Sequence, residues 1–150
     1  MLRLSKKTLL ALEAVVDIAI NARPEPVQSK EITRRQGVPQ RYLEQVMQHL
    51  VHAGILRGVR GPRGGYRLAR ERRRITVGDV VRVVNALEAS EEPPLGEGSE
   101  IAARVIRPMI ETFHDDLLRV LDGVTVDDLC ERVRSAGIRT DGDARQDFTI

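Results

Sequence analysis

Apolar residues recur at helical spacing from the start of the chain. Over residues 5–22, Leu9, Leu12, Val16 and Ala19/Ile20 fall three and four apart, with Ser5 placed as an N-cap. Arg23-Pro24-Glu25-Pro26 breaks this first helix, because proline lacks an amide donor and restricts its predecessor. A short second helix is expected over residues 29–36, capped by Ser29 and with Glu31 near the positive end of the dipole. Gly37 stands where a tight turn needs positive φ. A third helix is predicted from Pro39, tolerated at a first helical position, to Ala53, where Gly54 stops it.

The period then changes. Residues 55–60 and 66–69 read as short strands around the hairpin loop Gly61-Pro62-Arg63-Gly64-Gly65. Thr76 is placed to cap a helix running to Leu87, with Val77, Val80, Val81 and Val84 on its buried side. The acidic, Pro- and Gly-rich stretch that follows is expected to be a mobile loop. A long helix is predicted over residues 99–122, and Ile101, Val105, Met109, Phe113, Leu117 and Val120/Leu121 form its apolar stripe. Pro108 falls inside it, so a kink or a late start is expected there. A last short helix covers residues 126–135. The expected division is a first unit over 1–87, an acidic loop over 88–98, a long and a short helix over 99–136 and a disordered tail over 137–150.

Composition narrows the class. Without Trp, and with two Phe and two Tyr, the core of this 150-residue chain must be aliphatic. No run of 18 apolar residues exists, so no membrane span is expected, and Glu13 and Asp17 interrupt the first apolar segment in a way that argues against a signal peptide. The single cysteine, Cys130, fits a reducing cytoplasm. The net charge of +2 conceals a polarity, since residues 1–75 carry +10 and residues 76–150 carry −8. That asymmetry points the first half at a polyanion, although an unevenly charged, solvated surface would read the same.

Helix, short helix, glycine turn, helix and glycine-rich hairpin is the order of a winged helix-turn-helix. The expected class is therefore mainly α with a small β-hairpin wing, followed by a long helix. On the third helix Leu43, Val46, Met47 and Leu50 share one face. Arg41, Glu44, Gln45 and Gln48 share the other, and these long polar side chains suit guanine, cytosine and adenine edges in a major groove. Taken alone, such a face is as often merely solvated. The hairpin shifts the balance, because its glycines let backbone approach a phosphate while Arg60 and Arg63 supply charge. A nucleotide phosphate loop competes weakly, as its lysine motif is absent and Pro62 removes a donor. Tyr66 is expected to pack the hairpin base, and Arg72-Arg73-Arg74 to form a solvated cluster.

The run from Tyr42-Leu43-Glu44-Gln45 through Gly54-Ile55-Leu56, Val59-Arg60-Gly61-Pro62-Arg63-Gly64-Gly65-Tyr66 and Thr76-Val77-Gly78-Asp79-Val80 closely resembles the Rrf-type family of bacterial transcription regulators. The likeness covers residues 3–87 strongly and Val124–Leu129 more weakly. It implies a homodimer on double-stranded DNA, held by the long helix through Ile101, Val105, Met109, Phe113, Leu117 and Leu121. It also implies a DNA surface of Lys6, Lys7, Ser29, Gln40, Arg41, Tyr42, Glu44, Gln45 and Gln48, with Arg60, Gly61, Arg63, Gly64 and Gly65 from the wing. Many relatives hold an iron-sulfur cluster through three cysteines near the start of the long helix. Here residues 88–110 contain neither Cys nor His, and the positions matching the last ligands are Arg104 and Arg107, which cannot ligate iron.

The expectation is thus a cytoplasmic, pseudopalindrome-binding regulator without a cofactor, controlled by an effector protein or a small molecule, in iron-sulfur, cysteine or redox homeostasis. One alternative is an iron or redox sensor using Cys130 as an unusual ligand or reactive thiol. A second is a protein-interaction adaptor that does not touch DNA. Catalysis is not expected, since His49 and His52 lie on one helix with no acidic partner and no metal-ligand spacing appears.

Overall fold

The computed structural model describes residues 4–22, 24–93, 96 and 98–140. The expected tail beyond Thr140 and three positions of the acidic loop (Pro94, Leu95 and Glu97) lie outside the described residues. Among the described residues six α-helices surround an aliphatic core, with one two-stranded antiparallel hairpin at its edge.

Helix α1 (Lys6–Asn21) starts at Ser5, whose hydroxyl accepts the Thr8 amide at 3.2 Å. Its core face differs from the stripe that the periodicity singles out. Leu10, Ala11, Ala14, Val15 and Ile18 are buried, whereas Leu9 is 51% exposed and Leu12, Val16 and Ile20 are half-buried. The helix is apolar on two sides, and spacing alone does not say which side meets the core.

Helices α2 (Ser29–Gln36) and α3 (Arg41–His52) are joined through Gly37, which adopts the left-handed conformation at φ 70° and ψ 31°. Two boundaries depart from expectation. Gln28, not Ser29, occupies the cap position of α2 without a side-chain bond, and the Ser29 hydroxyl instead accepts from Gln40 Nε2 at 2.9 Å. Pro39 lies in the turn, its carbonyl accepting the Tyr42 amide at 3.1 Å. Ile32, Leu43, Val46, Met47 and Leu50 are at most 1% exposed and lock α2 and α3 onto α1. Each such burial is worth about 1.5–3 kcal/mol of transfer free energy, and this fixes α3 with its polar face outward.

Strands β1 (Leu56–Val59) and β2 (Gly65–Leu68) pair antiparallel, with Leu56 opposite Leu68 and Val59 opposite Gly65. Val27, in the link between α1 and α2, exchanges two backbone hydrogen bonds with Tyr66 at 2.8 and 3.0 Å. Tyr66 packs against the core, as a hairpin-base residue should. A Cβ on Gly65 would run into the Val27 carbonyl, and one on Gly64 into that of Val59, so the Gly-Gly pair is required by close approach of backbone.

Helix α4 (Val77–Glu91) opens with a capping box of Thr76 and Asp79 and runs four residues beyond the expected Leu87. The extension is held from outside the helix: Glu88 accepts the Ser5 hydroxyl, and Glu91 pairs with Lys7 Nζ at 2.9 Å. These contacts offset two carboxylates at the negative end of a helix dipole. The long helix begins near Glu100 and passes through a π-helical turn (Ala102–Ile106) into α5 (Arg107–Asp122). The Arg107 amide bonds to the carbonyl of Ala102, five residues back, and Pro108 next to it has no amide to offer. The expected irregularity at Pro108 therefore takes the form of a π turn.

Helix α6 (Val126–Ser135) repeats the Thr76–Asp79 device with Thr125 and Asp128. The two caps sit side by side, because Val77 donates to Val124 and Val126 donates to Ile75, both at 2.8 Å. That pairing folds α6 back so that Val126 and Cys130 join the core against α1.

Candidate nucleic-acid interface

The packing of α3 leaves Arg41, Tyr42, Glu44, Gln45 and Gln48 exposed, directly opposite its buried Leu43, Val46, Met47 and Leu50. The hairpin follows α3 at once and is anchored to it by the Ile55 amide on the Leu50 carbonyl at 3.0 Å. At the far end of the hairpin Arg60, Gly61 and Arg63 are exposed, while Gly64 and Gly65 are half-buried against backbone.

The arginines divide into two sets by their company. Arg35 meets Asp17 at 2.6 Å, Arg82 meets Asp122 at 2.6 Å and Arg72 meets Asp127 at 2.8 Å, with Arg73 approaching the same carboxylate at 3.6 Å. The triple arginine is thus a 3-10 turn tied to α6, not the freely solvated cluster that composition suggested. The Arg82 hydrogen bond holds the Asp122 carboxyl below the usual carboxylate range. Arg41, Arg60 and Arg63, by contrast, form no ion pair among the described residues. Their charge remains available to an anion from outside.

Other expected DNA contacts are distributed less simply. Lys6 is exposed, but Lys7 is engaged by Glu91, and Ser29 and Gln40 are hydrogen-bonded to each other. Arg57 is a cation that sequence reasoning missed. It is exposed on β1 directly opposite Arg67, which is turned back to the Pro24 carbonyl. Its place beside buried Leu56 in a strand of period two was the available signal. Like charges directly opposite on a hairpin cost stability, and an external polyanion would relieve that cost.

A family described as "Iron-dependent Transcriptional regulator", Rrf2, matches residues 4–132 of this sequence. The chain belongs to that family. It is 32% identical to the HTH-type transcriptional regulator IscR of Pectobacterium atrosepticum over 97% of this chain and 90% of that protein. With its namesake from Aliivibrio salmonicida the identity is 34%, covering 85% and 77% respectively. Among solved structures it is similar to T. potens IscR, with a TM-score of 0.69 and 33% identity over 92% of this chain and 93% of the other. CymR, titled the global cysteine regulator of B. subtilis, gives a TM-score of 0.66 and 31% identity, covering 88% and 98%. The fold is a winged helix-turn-helix, and the chain is a DNA-binding transcription regulator rather than an enzyme.

The family's dependence on iron invites a test of fit. Arg104 and Arg107 stand exposed on the long helix where the resemblance places ligands. Cys130 is 4% exposed and packed in the core against α1, remote in kind from a reactive or ligating thiol. Among the described residues no group of three or more His, Cys, Asp or Glu is arranged to hold a metal ion. The residues present do not fit a cysteine-ligated cluster. No helix among the described residues is long and apolar enough to cross a membrane.

Proposed function

We propose that this regulator binds a pseudopalindromic operator as a cytoplasmic homodimer whose DNA affinity does not depend on an iron-sulfur cluster. In this reading Arg41, Gln45 and Gln48 read base edges, and Glu44 accepts from cytosine while disfavouring other bases. Lys6, Ser29, Gln40 and Tyr42 steady the backbone beside α3, and Arg60, Gly61, Arg63, Gly64 and Gly65 bring the wing to the phosphates or the minor groove. Lys7 joins them only if Glu91 releases it. Two copies of α3 enter successive major grooves about 34–36 Å apart. Ile101, Val105, Met109, Phe113, Leu117 and Leu121 hold the copies together. With the cluster ligands replaced, control falls to a partner protein or a small molecule, and the relatives IscR and CymR point to iron-sulfur, cysteine or redox homeostasis.

The observation that carries the proposal is the polar outer face of α3 beside a wing whose arginines lack carboxylate partners among the described residues. Selection from random duplexes tests it. The expected product is a two-fold repeat bound far more tightly than random sequence at physiological salt, with affinity unchanged by an iron chelator. Equal affinity for selected and random duplexes would overturn the operator reading. Visible absorption with stoichiometric iron in anaerobically purified protein would overturn the cluster-free one.

A further inference from the structure

Residues 53–59 link the reading helix α3 to the tip of the wing. With α3 in a major groove and the wing at the neighbouring minor groove, this link must cross the sugar–phosphate strand that divides the two grooves. Ile55 and Leu56 are buried, and the Gly54 carbonyl accepts from Arg70 Nε at 3.2 Å. In β1 that leaves Arg57 and Gly58 exposed.

Gly58 is a glycine that the fold does not ask for. Its φ lies outside the left-handed region, and a Cβ placed on it would meet nothing within 4 Å, unlike Gly64 and Gly65, which are hemmed in by backbone. The ladder around it has no bulge, with Arg57 opposite Arg67, Gly58 opposite Tyr66 and Val59 opposite Gly65. A glycine inside a regular strand weakens it, because more conformational freedom is lost on folding. With turn, bulge and internal crowding set aside, close approach from outside is the physical demand left for a bare Cα here.

The register also decides where the Gly58 amide points. Tyr66 exchanges backbone hydrogen bonds with Val27 in both directions, so its amide and carbonyl face away from β1. Gly58 and Tyr66 are therefore a non-hydrogen-bonded pair of the ladder, and the Gly58 amide faces the open edge of β1. Beside it Arg57 forms no ion pair among the described residues, while Arg67 opposite is drawn back to the Pro24 carbonyl. An outward amide with no side chain over it, next to a guanidinium with no carboxylate, is a donor set that suits a phosphate.

We propose that the edge of β1 at Gly58 seats one phosphate of the strand between the two grooves, its oxygens accepting from the Gly58 amide and the Arg57 guanidinium. The inference rests on the operator reading and adds an anchor, blind to sequence, between α3 and the wing tip. Such an anchor sets how deeply each of them enters its groove.

Titration of Gly58→Val, Arg57→Ala and Arg57→Lys with the selected operator and with a random duplex tests this, together with operators carrying single methylphosphonates, each of which removes one phosphate charge. Gly58→Val is expected to melt at or above the parent temperature, since a β-branched residue suits an open strand position, and yet to bind both duplexes about tenfold more weakly. Arg57→Ala is expected to weaken both by a similar factor and to lower the slope of log affinity against log salt by about one, with Arg57→Lys restoring the slope. One methylphosphonate position in each half-site is expected to weaken the parent and to leave Arg57→Ala unaffected. Parent-like binding by folded Gly58→Val would overturn the anchor while leaving the operator reading intact. So would a scan in which every methylphosphonate weakens Arg57→Ala as much as the parent, a result that does not depend on how Gly58→Val folds. A parent that prefers no sequence would instead sink the operator reading, and the anchor would then stand or fall with Arg57→Ala and Gly58→Val on the random duplex.

Discussion

Two exposed surfaces of this molecule ask for different partners. The outer face of α3 and the wing display Arg41, Gln45, Gln48, Arg60 and Arg63, polar groups that water satisfies at no cost while they wait. The leading half of the long helix displays Ile101, Val105, Met109 and Phe113, which water does not satisfy. A face of the first kind is stable alone and selective in company, because its value lies in hydrogen-bond geometry and counterion release. One of the second kind is unstable alone and drives association through burial. Both are exposed in the single chain, so exposure by itself distinguishes neither function. The chemistry of what is exposed does.

The largest effect that follows is on the apolar side. Met109→Asp combined with Phe113→Asp is expected to give a folded monomer whose operator affinity falls by about a hundredfold or more, because the second half-site no longer binds intramolecularly. Unchanged operator affinity in a proven monomer would show that the two surfaces are independent. Next, Gln45→Ala is expected to cost about 1–3 kcal/mol at the selected operator and to relax preference at one position of each half-site. A uniform loss across all sequences would move Gln45 from base reading to backbone contact. Arg63→Ala is expected to weaken selected and random duplexes alike and to lower the slope of log affinity against log salt by about one per contact removed. A slope identical to that of the parent would take the wing off the phosphates.

The smallest effect concerns the frame that separates the two surfaces. The Thr125 backbone amide and then its hydroxyl hold the Asp128 carboxyl below the usual carboxylate range. A carboxyl with a depressed folded pKa contributes stability above its unfolded pKa and loses that contribution as pH falls through the folded value. Asp128→Asn is therefore expected to unfold at lower urea than the parent at neutral pH, with the gap closing in acid. A gap that stays constant with pH would assign the cap's value to shape rather than charge.

Much of the fold was legible residue by residue. Ser5 and Thr76 mark helix starts, and Gly37 marks the turn between α2 and α3, because capping and positive φ are local demands that a few side chains meet. The polar face of α3 was legible for a similar reason, since Leu43, Val46, Met47 and Leu50 fix its opposite. The end of α4 was not. Glu88 and Glu91 read as loop until Ser5 and Lys7, more than eighty residues away in sequence, come to meet them. The same holds for Arg72 and Arg73, which composition offers to a polyanion and folding hands to Asp127.

Local order was therefore largely written in the chain: the Ser5 and Thr76 caps, the Gly37 turn and the hairpin answer to neighbours a few positions away, whereas Gly65 answers to the distant Val27 carbonyl. Periodicity also revealed that α1 and the long helix carry apolar stripes, but a stripe is an angle about an axis and names no partner. Only packing assigned Leu10, Ala14 and Ile18 to the core and left Leu9, Leu12 and Val16 lining a groove. It likewise divided the arginines into paired and unpaired sets, because which carboxylate lies within a few ångströms depends on how distant segments fold against each other.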